Sequence, residues 1–279
     1  MPSSQYGKVR ELLDSSDLNT VCREAHCPNL TQCWSRGTAT IMLLGDRCTR
    51  QCSFCSVVHY PGDGKTDEDE PERVAKTVKS WGLKYVVLTM VARDDLPDHG
   101  SGIIARTIRA LNHECPETQV EVLTSDLGGS TDSLKKVLDA HPAVFGHNVE
   151  TVRRLTSEVR DEKASYDLSL RVLKLAKSIE TPARATKSSL MLGLGESKDE
   201  VLETLEDLRK ADVDLVTLGQ YLRPGGDGFH EVDRYVTPKE FAELGNLARS
   251  MGFKGVASGP MVRSSYMAEE LCHASSAKE

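Results

Sequence analysis

Thr38-Ala-Thr-Ile-Met-Leu-Leu-Gly-Asp-Arg-Cys-Thr-Arg-Gln-Cys-Ser-Phe-Cys55 decides how this chain is read. Thr38–Leu44 is a short apolar run ending at a glycine, the pattern of a buried strand. Directly after it come Cys48, Cys52 and Cys55, spaced CxxxCxxC on one loop. A structural zinc normally takes four protein ligands, and ordinary iron–sulfur clusters take four cysteines. Three thiolates leave one metal position for another molecule. A second group of three, Cys22, Cys27 and Cys33, lies upstream, so six of the eight cysteines fall in two such sets.

Downstream of the loop, apolar runs alternate with amphipathic stretches. Pro71, in what reads as a first helical turn, opens a helix to about Trp81, and Tyr85–Met90 reads as a buried strand. Helix Gly102–Asn112, strand Gln119–Leu123, helix Asp132–Ala140, strand Ala143–Phe145 and helix Tyr166–Ile179 follow. Strand Ser188–Leu192, helix Asp199–Lys210, strand Leu215–Leu218, helix Pro238–Met251 and strand Gly255–Ala257 complete the series. This βα repeat predicts an α/β protein with parallel strands, either a barrel or an open doubly wound sheet. Both place ligands at the carboxyl ends of the strands. Polar motifs sit at those ends: Arg93-Asp94-Asp95, His147-Asn148-Val149-Glu150, Gly193-Leu194-Gly195-Glu196 and Gln220-Tyr221. The acidic stretch Asp63–Glu72 reads as a solvated loop running into a helix.

With 279 residues, one large domain is the expectation. The first 20 residues hold no apolar stretch, and no run approaches the roughly 18 apolar residues of a membrane span. A cytoplasmic protein is expected, where clustered cysteines bind metal or react and do not form disulfides. A net charge of −7 without basic runs gives no footprint for nucleic acid or an anionic membrane. Cys115 and Cys272 match no motif and read as a loop thiol and a mobile-tail thiol.

The CxxxCxxC loop, with Phe54 before its last cysteine, resembles that of radical S-adenosylmethionine (SAM) enzymes. A larger resemblance, to the lipoyl synthase family, rests on Val21–Thr40 with its Cx4Cx5C spacing and on Leu44–Cys55. It continues through Arg93–Asp98, His147–Thr151, Thr186–Glu196, Leu218–Leu222, Arg234–Pro238 and Ala257–Tyr266. Ala92, often polar in that family, and the glycine-rich Gly225–Gly228 depart from its pattern.

The resemblance implies a partial (βα)6 TIM-like barrel over residues 37–258, with an N-terminal extension over 1–36 and a C-terminal one over 259–279. It implies an enzyme that inserts two sulfur atoms into an octanoyl chain carried by a lipoyl domain, with two [4Fe–4S] clusters and SAM as cofactors. Cys48, Cys52 and Cys55 then hold the cluster that cleaves SAM to a 5′-deoxyadenosyl radical. Cys22, Cys27 and Cys33, with a serine of Arg263-Ser264-Ser265-Tyr266, hold the sacrificial sulfur-donating cluster, and Ser265 is assigned as that ligand ahead of Ser264. Thr89, Asn148, Glu150 and Lys187 are assigned to SAM. The implied partners are carrier domains of 2-oxoacid dehydrogenases or of glycine cleavage, a ferredoxin or flavodoxin, and an iron–sulfur cluster carrier.

Other readings stand beside these. The loop cysteines with His59 would make a zinc site in a binding protein, and another radical SAM sulfurtransferase, such as a methylthiotransferase, would share the loop. Either serine could cap a following helix. Lys187 could pair with Glu150, Asn148 could terminate a strand, and Gly193 and Gly195 could serve a tight turn. His26 reads as a donor to cluster sulfur.

Overall fold

The computed structural model describes residues 4–24, 27–35, 40–179 and 185–276. It divides into two compact units, 1–50 with 56–143, and 51–55 with 144–279. His26 lies outside the described residues, as do the first two positions of the expected strand Thr38–Leu44.

In the first unit, α1 (Ser4–Ser15), β1 (Asn19–Thr20), α2 (Val21–Glu24) and α3 (Leu30–Ser35) precede β2 (Thr40–Leu43). β3 (Arg47–Cys48) and β4 (Val58–His59) pair in parallel and bracket the cysteine loop in sequence. Then come α4 (Glu70–Trp81), β5 (Tyr85–Met90), α5 (Ser101–Glu114), β6 (Gln119–Leu123) and α6 (Thr131–Leu138). The strands lie in the order β1-β2-β5-β6, with β1 antiparallel and the rest parallel. β5 is buried through Thr89, as its unbroken Tyr-Val-Val-Leu-Thr-Met run requires of a strand covered on both faces. α4 begins with proline in its first turn and stops at Gly82, whose φ of 68° admits glycine without strain and lets its amide bond Val78 and Lys79.

The second unit continues with β7 (Val144–Gly146), α7 (Thr156–Val159), α8 (Tyr166–Ser178), β8 (Ala185–Leu192), α9 (Lys198–Lys210), β9 (Leu215–Gln220), α10 (Pro238–Ser250), β10 (Gly255–Gly259) and α11 (Ala268–Ser276). Its strands run parallel in the order β7-β8-β9-β10. Capping boxes start α9 at Ser197/Glu200 and α10 at Thr237/Glu240. Leu190, Leu192, Val216 and Leu218 meet Leu205, Leu208, Phe241 and Ala248 in one core, and Phe54 of the cysteine loop packs against it.

The expected strands and long helices are present, most with ends shifted by one to three residues. Three expectations need correction. Glu70, assigned to a solvated stretch, is buried, and both its carboxylate oxygens accept from the Leu44 amide, at 3.1 and 2.9 Å. It is needed there because Leu44 leaves β2 with φ of 69°, and its amide would otherwise be orphaned. Cys272 is buried in α11 and is no tail thiol. That helix approaches β10 closely at Gly255, where a Cβ would meet Leu271 O at 3.1 Å. Cys115 is also buried, at the end of α5, its thiol 3.8 Å from Ala75 O. Among the described residues, no helix is long and apolar enough to cross a membrane.

Candidate metal and cofactor centre

In the first unit, the Cys48 sulfur accepts the amides of Arg50 at 3.4 Å and Ala92 at 3.3 Å. Burial raises its thiol pKa, and these amides and the Arg50 charge oppose the rise. A thiol held this way gives up its proton when metal replaces it, and amides aimed at sulfur suit an iron-bound thiolate. Ala92 thus serves through its backbone, so its departure from the family pattern costs nothing at this contact.

Arg50 is the anchor of this part of the loop. Its buried guanidinium bonds Asp94 (2.8 and 3.0 Å) and Asp126 (2.6 and 2.7 Å), two bidentate pairs that tie the loop to residues beyond β5 and β6. Thr49 adds a hydroxyl bond to Asp94 at 2.8 Å and an amide bond to Ala92 O at 3.0 Å. Arg93 pairs with Asp95 at 2.7 Å and also bonds Lys65 O, so Arg93 and Asp95 brace the segment after the loop. Asp126→Asn is expected to destabilise the protein by about 3 kcal/mol, because it leaves the buried guanidinium short of one charge. The urea midpoint at unchanged m-value reads this; a shift too small to resolve would show Asp94 alone to suffice.

In the second unit, the Asp161 amide donates to the Cys52 sulfur at 3.3 Å, while the Asp161 carboxylate accepts the Gln51 amide at 2.8 Å. Ser53 donates its amide to Val159 O at 2.9 Å and accepts the His230 amide at 2.8 Å. Cys55 closes a turn through its amide onto Cys52 O at 3.1 Å. Among the described residues, no three His, Cys, Asp or Glu side chains converge to hold a single metal ion.

The N-terminal cysteines lie in the first unit. Cys22 is on α2 and Cys33 on α3, and the Cys27 amide between them bonds Cys22 O at 3.1 Å. Burial raises the Cys22 thiol; the Thr40 amide opposes this, the nearby Cys27 thiolate adds to it, and the Trp34 indole opposes it. The Trp34 Nε1, itself buried, has no acceptor among the described residues at hydrogen-bonding geometry. A buried donor beside the Cys22 sulfur fits an anionic, metal-bound thiolate there.

Of the residues assigned to SAM, Thr89 is buried in β5 and pairs in register with Met42. The others belong to the second unit. Glu150 has φ of 66°, and its backbone bridges to Leu190 of β8. Burial raises its carboxyl pKa, opposed by Arg160 and by a hydrogen bond from Asn148. Arg160, missed from sequence, is buried and donates to Ser169 Oγ at 2.8 Å, which also meets His147 Nε2 at 2.9 Å. Lys187 is buried on β8, where its carbonyl accepts the His147 amide. Asn148 lowers the Glu150 carboxyl pKa against its burial.

Gly193 and Gly195 have φ near 100°, and Glu196 turns back to accept the amides of Gly193 and Leu194 at 2.7 and 2.9 Å. That is the tight-turn reading. A Cβ on Gly193 would strike Arg234 O at 2.4 Å, so close backbone approach adds a second reason for glycine.

Ser264 and Ser265 precede α11, but that helix begins at Ala268, so the capping position is Met267, with φ of 50°. The helix-cap reading of both serines is therefore overturned. Both serines are half-buried. The loop is positioned by Arg263, which bonds Val262 O at 2.7 Å, and by Gly219 of β9, where a Cβ would meet Val262 O at 2.1 Å.

Parallel βα units, a three-cysteine loop clamped by amides, and polar strand ends define a radical SAM enzyme, and the model of the radical SAM superfamily matches residues 42–208. The chain has the fold of methylornithine synthase, with a TM-score of 0.59 at 16% identity over 88% of this chain and 73% of that one. The lipoyl synthase of Pyrobaculum calidifontis is 53% identical over 96% of this chain and 92% of its own length, and that of Pyrobaculum arsenaticum 56% over 96% and 90%. The chain belongs to the lipoyl synthase family, radical SAM enzymes that insert sulfur. Its cofactors therefore include a [4Fe–4S] cluster and SAM. Membership overturns the zinc-protein reading and the alternative of another sulfurtransferase.

Proposed function

We propose that the chain converts octanoylated lipoyl domains to the lipoyl form using two [4Fe–4S] clusters, one held by Cys48, Cys52 and Cys55 and one by Cys22, Cys27, Cys33 and Ser265. When bound, the first supplies the electron that cleaves SAM, and the second supplies the two sulfur atoms. The residue work divides accordingly. Arg50, Asp94 and Asp126 hold the loop that carries Cys48, while Asp161 holds Cys52. Amide donors on both sulfurs spread thiolate charge into the backbone, which steadies the ligands through a change of oxidation state. Thr89, Asn148, Glu150 and Lys187 bind SAM, with Glu150 presented by its left-handed backbone and kept in place by Asn148. In this reading residues 1–36 and 259–279 are extensions serving the second cluster, and 37–258 is the barrel. The substrates are carrier domains of 2-oxoacid dehydrogenases or glycine cleavage. A ferredoxin or flavodoxin supplies electrons, and a cluster carrier restores the spent cluster.

The observation that carries the second cluster is the second set of three free thiols, Cys22, Cys27 and Cys33, in a chain whose Ser264-Ser265 turn does not cap α11. An oxygen ligand suits iron in a sulfide cluster less well than thiolate, so that corner is the easier one to open. Ser265→Ala is expected to lower retained iron from about eight per chain toward about four. Ser265→Cys should retain both clusters and slow sulfur delivery. Iron analysis and a single-turnover assay on an octanoylated lipoyl-domain peptide read these. Full iron in the alanine variant, or an unchanged rate in the cysteine variant, would contradict the assignment.

A further inference from the structure

Trp34 follows Cys33 directly on α3 and is 1% exposed. Its ring is fixed by two neighbours: Tyr6 of α1 at a centroid separation of 5.5 Å, and the Arg23 guanidinium of α2 at 5.0 Å from the ring centre. Arg23 is itself held by Asp14 at 2.7 Å. So much packing determines where the indole N–H points, yet that N–H has no acceptor among the described residues. A buried donor without an acceptor costs about 1–3 kcal/mol, and Phe would pack much as Trp does without that cost. Arg23, against which the ring packs, directly follows Cys22, and the indole lowers the Cys22 thiol pKa against its burial, so the Cys22 sulfur lies beside it. A neutral thiol is a weak acceptor, whereas an anionic, iron-bound thiolate is a good one.

We propose that Trp34 is a positioning residue of the second cluster, its indole N–H donating to the Cys22 sulfur when that sulfur is bound to iron. The proposal rests on the reading that Cys22, Cys27 and Cys33 are cluster ligands. A hydrogen bond to a ligating sulfur withdraws charge from it and favours the more reduced cluster, so the bond raises the reduction potential. The Thr40 amide acts on the same sulfur from the backbone. Trp34 is therefore, among the described residues, a side-chain control on how much negative charge Cys22 leaves on the iron.

The test uses the full chain carrying Cys48→Ala, Cys52→Ala and Cys55→Ala, so that only the second cluster contributes. Trp34→Phe in that background keeps an aromatic ring and removes the donor. It should retain the parent's iron, shift the cluster's midpoint potential downward, and reduce the parent's D2O-induced shift of the Fe–S(Cys) stretching band to the part owed to backbone amides. Equal potentials and equal D2O shifts in parent and variant would overturn the proposal. If Trp34→Phe does not fold, the parent decides: with indole-15N tryptophan, pulsed electron paramagnetic resonance of the reduced cluster should show a coupled nitrogen, and no coupling would overturn the proposal. A parent that binds no iron would instead overturn the ligand reading, and the proposal with it.

Discussion

Replacing any one of Cys48, Cys52 and Cys55 with Ala abolishes production of methionine and 5′-deoxyadenosine from SAM, while iron bound elsewhere in the chain stays near half the wild-type amount. The expectation follows from the loop's construction. Two of its sulfurs receive separate amide donors, Arg50 and Ala92 for Cys48 and Asp161 for Cys52, so neither duplicates the other. No neighbouring cysteine or histidine stands in, because His59 is exposed on β4. An anaerobic assay of both SAM products, with iron analysis of the same sample, checks it. Retention of a tenth or more of the wild-type cleavage rate in an alanine variant would exclude that cysteine as an indispensable ligand.

Replacing Cys22, Cys27 and Cys33 together produces the opposite split. SAM cleavage continues, and no thiolated product forms. The basis is that these thiols lie on α2, on α3 and between them, apart in sequence from the loop and with their own buried surroundings of Trp34 and Thr40. Loss of the set should leave the Arg50–Asp94–Asp126 anchor intact. Mass spectrometry of an octanoylated lipoyl-domain peptide, run beside the SAM assay, separates the two activities. Lipoyl product from the triple variant would show that the sulfur comes from elsewhere.

Much of this was legible because apolar runs such as Tyr85–Met90 and Gln119–Leu123 can only be covered strands, and because cysteine spacing is a local property of the chain. The N-terminal helices were less so. α1 buries Val9 and Leu13 four residues apart, too sparse a stripe to stand out, and depends on packing with α3. Glu70 lay within an acidic run whose other members are mostly solvated, and only the left-handed turn at Leu44 creates the amide it serves. Arg50 was in plain view inside the loop, but its partners Asp94 and Asp126 are 44 and 76 residues away. Asp126 did carry a signal: it ends the polar Thr124-Ser125-Asp126 stretch after β6, a strand end of the same kind as those read as ligand-binding. Asp161 and Arg160 follow the short helix α7, which has too few residues for any period to show. The alternative of a helix cap at the two serines arises because helix-forming composition begins before the helix does, and the backbone of Met267 takes the turn instead.

The central claim is that this chain is the source of the sulfur it inserts. Protein whose clusters are rebuilt with 34S-sulfide, then mixed anaerobically with SAM, a reductant and an octanoylated lipoyl-domain peptide, tests it directly by mass spectrometry of the peptide. The account predicts lipoyl product carrying two 34S atoms, at no more than about one product per chain unless a cluster carrier is added. Product with sulfur of natural isotopic composition, or many turnovers without cluster restoration, would contradict it.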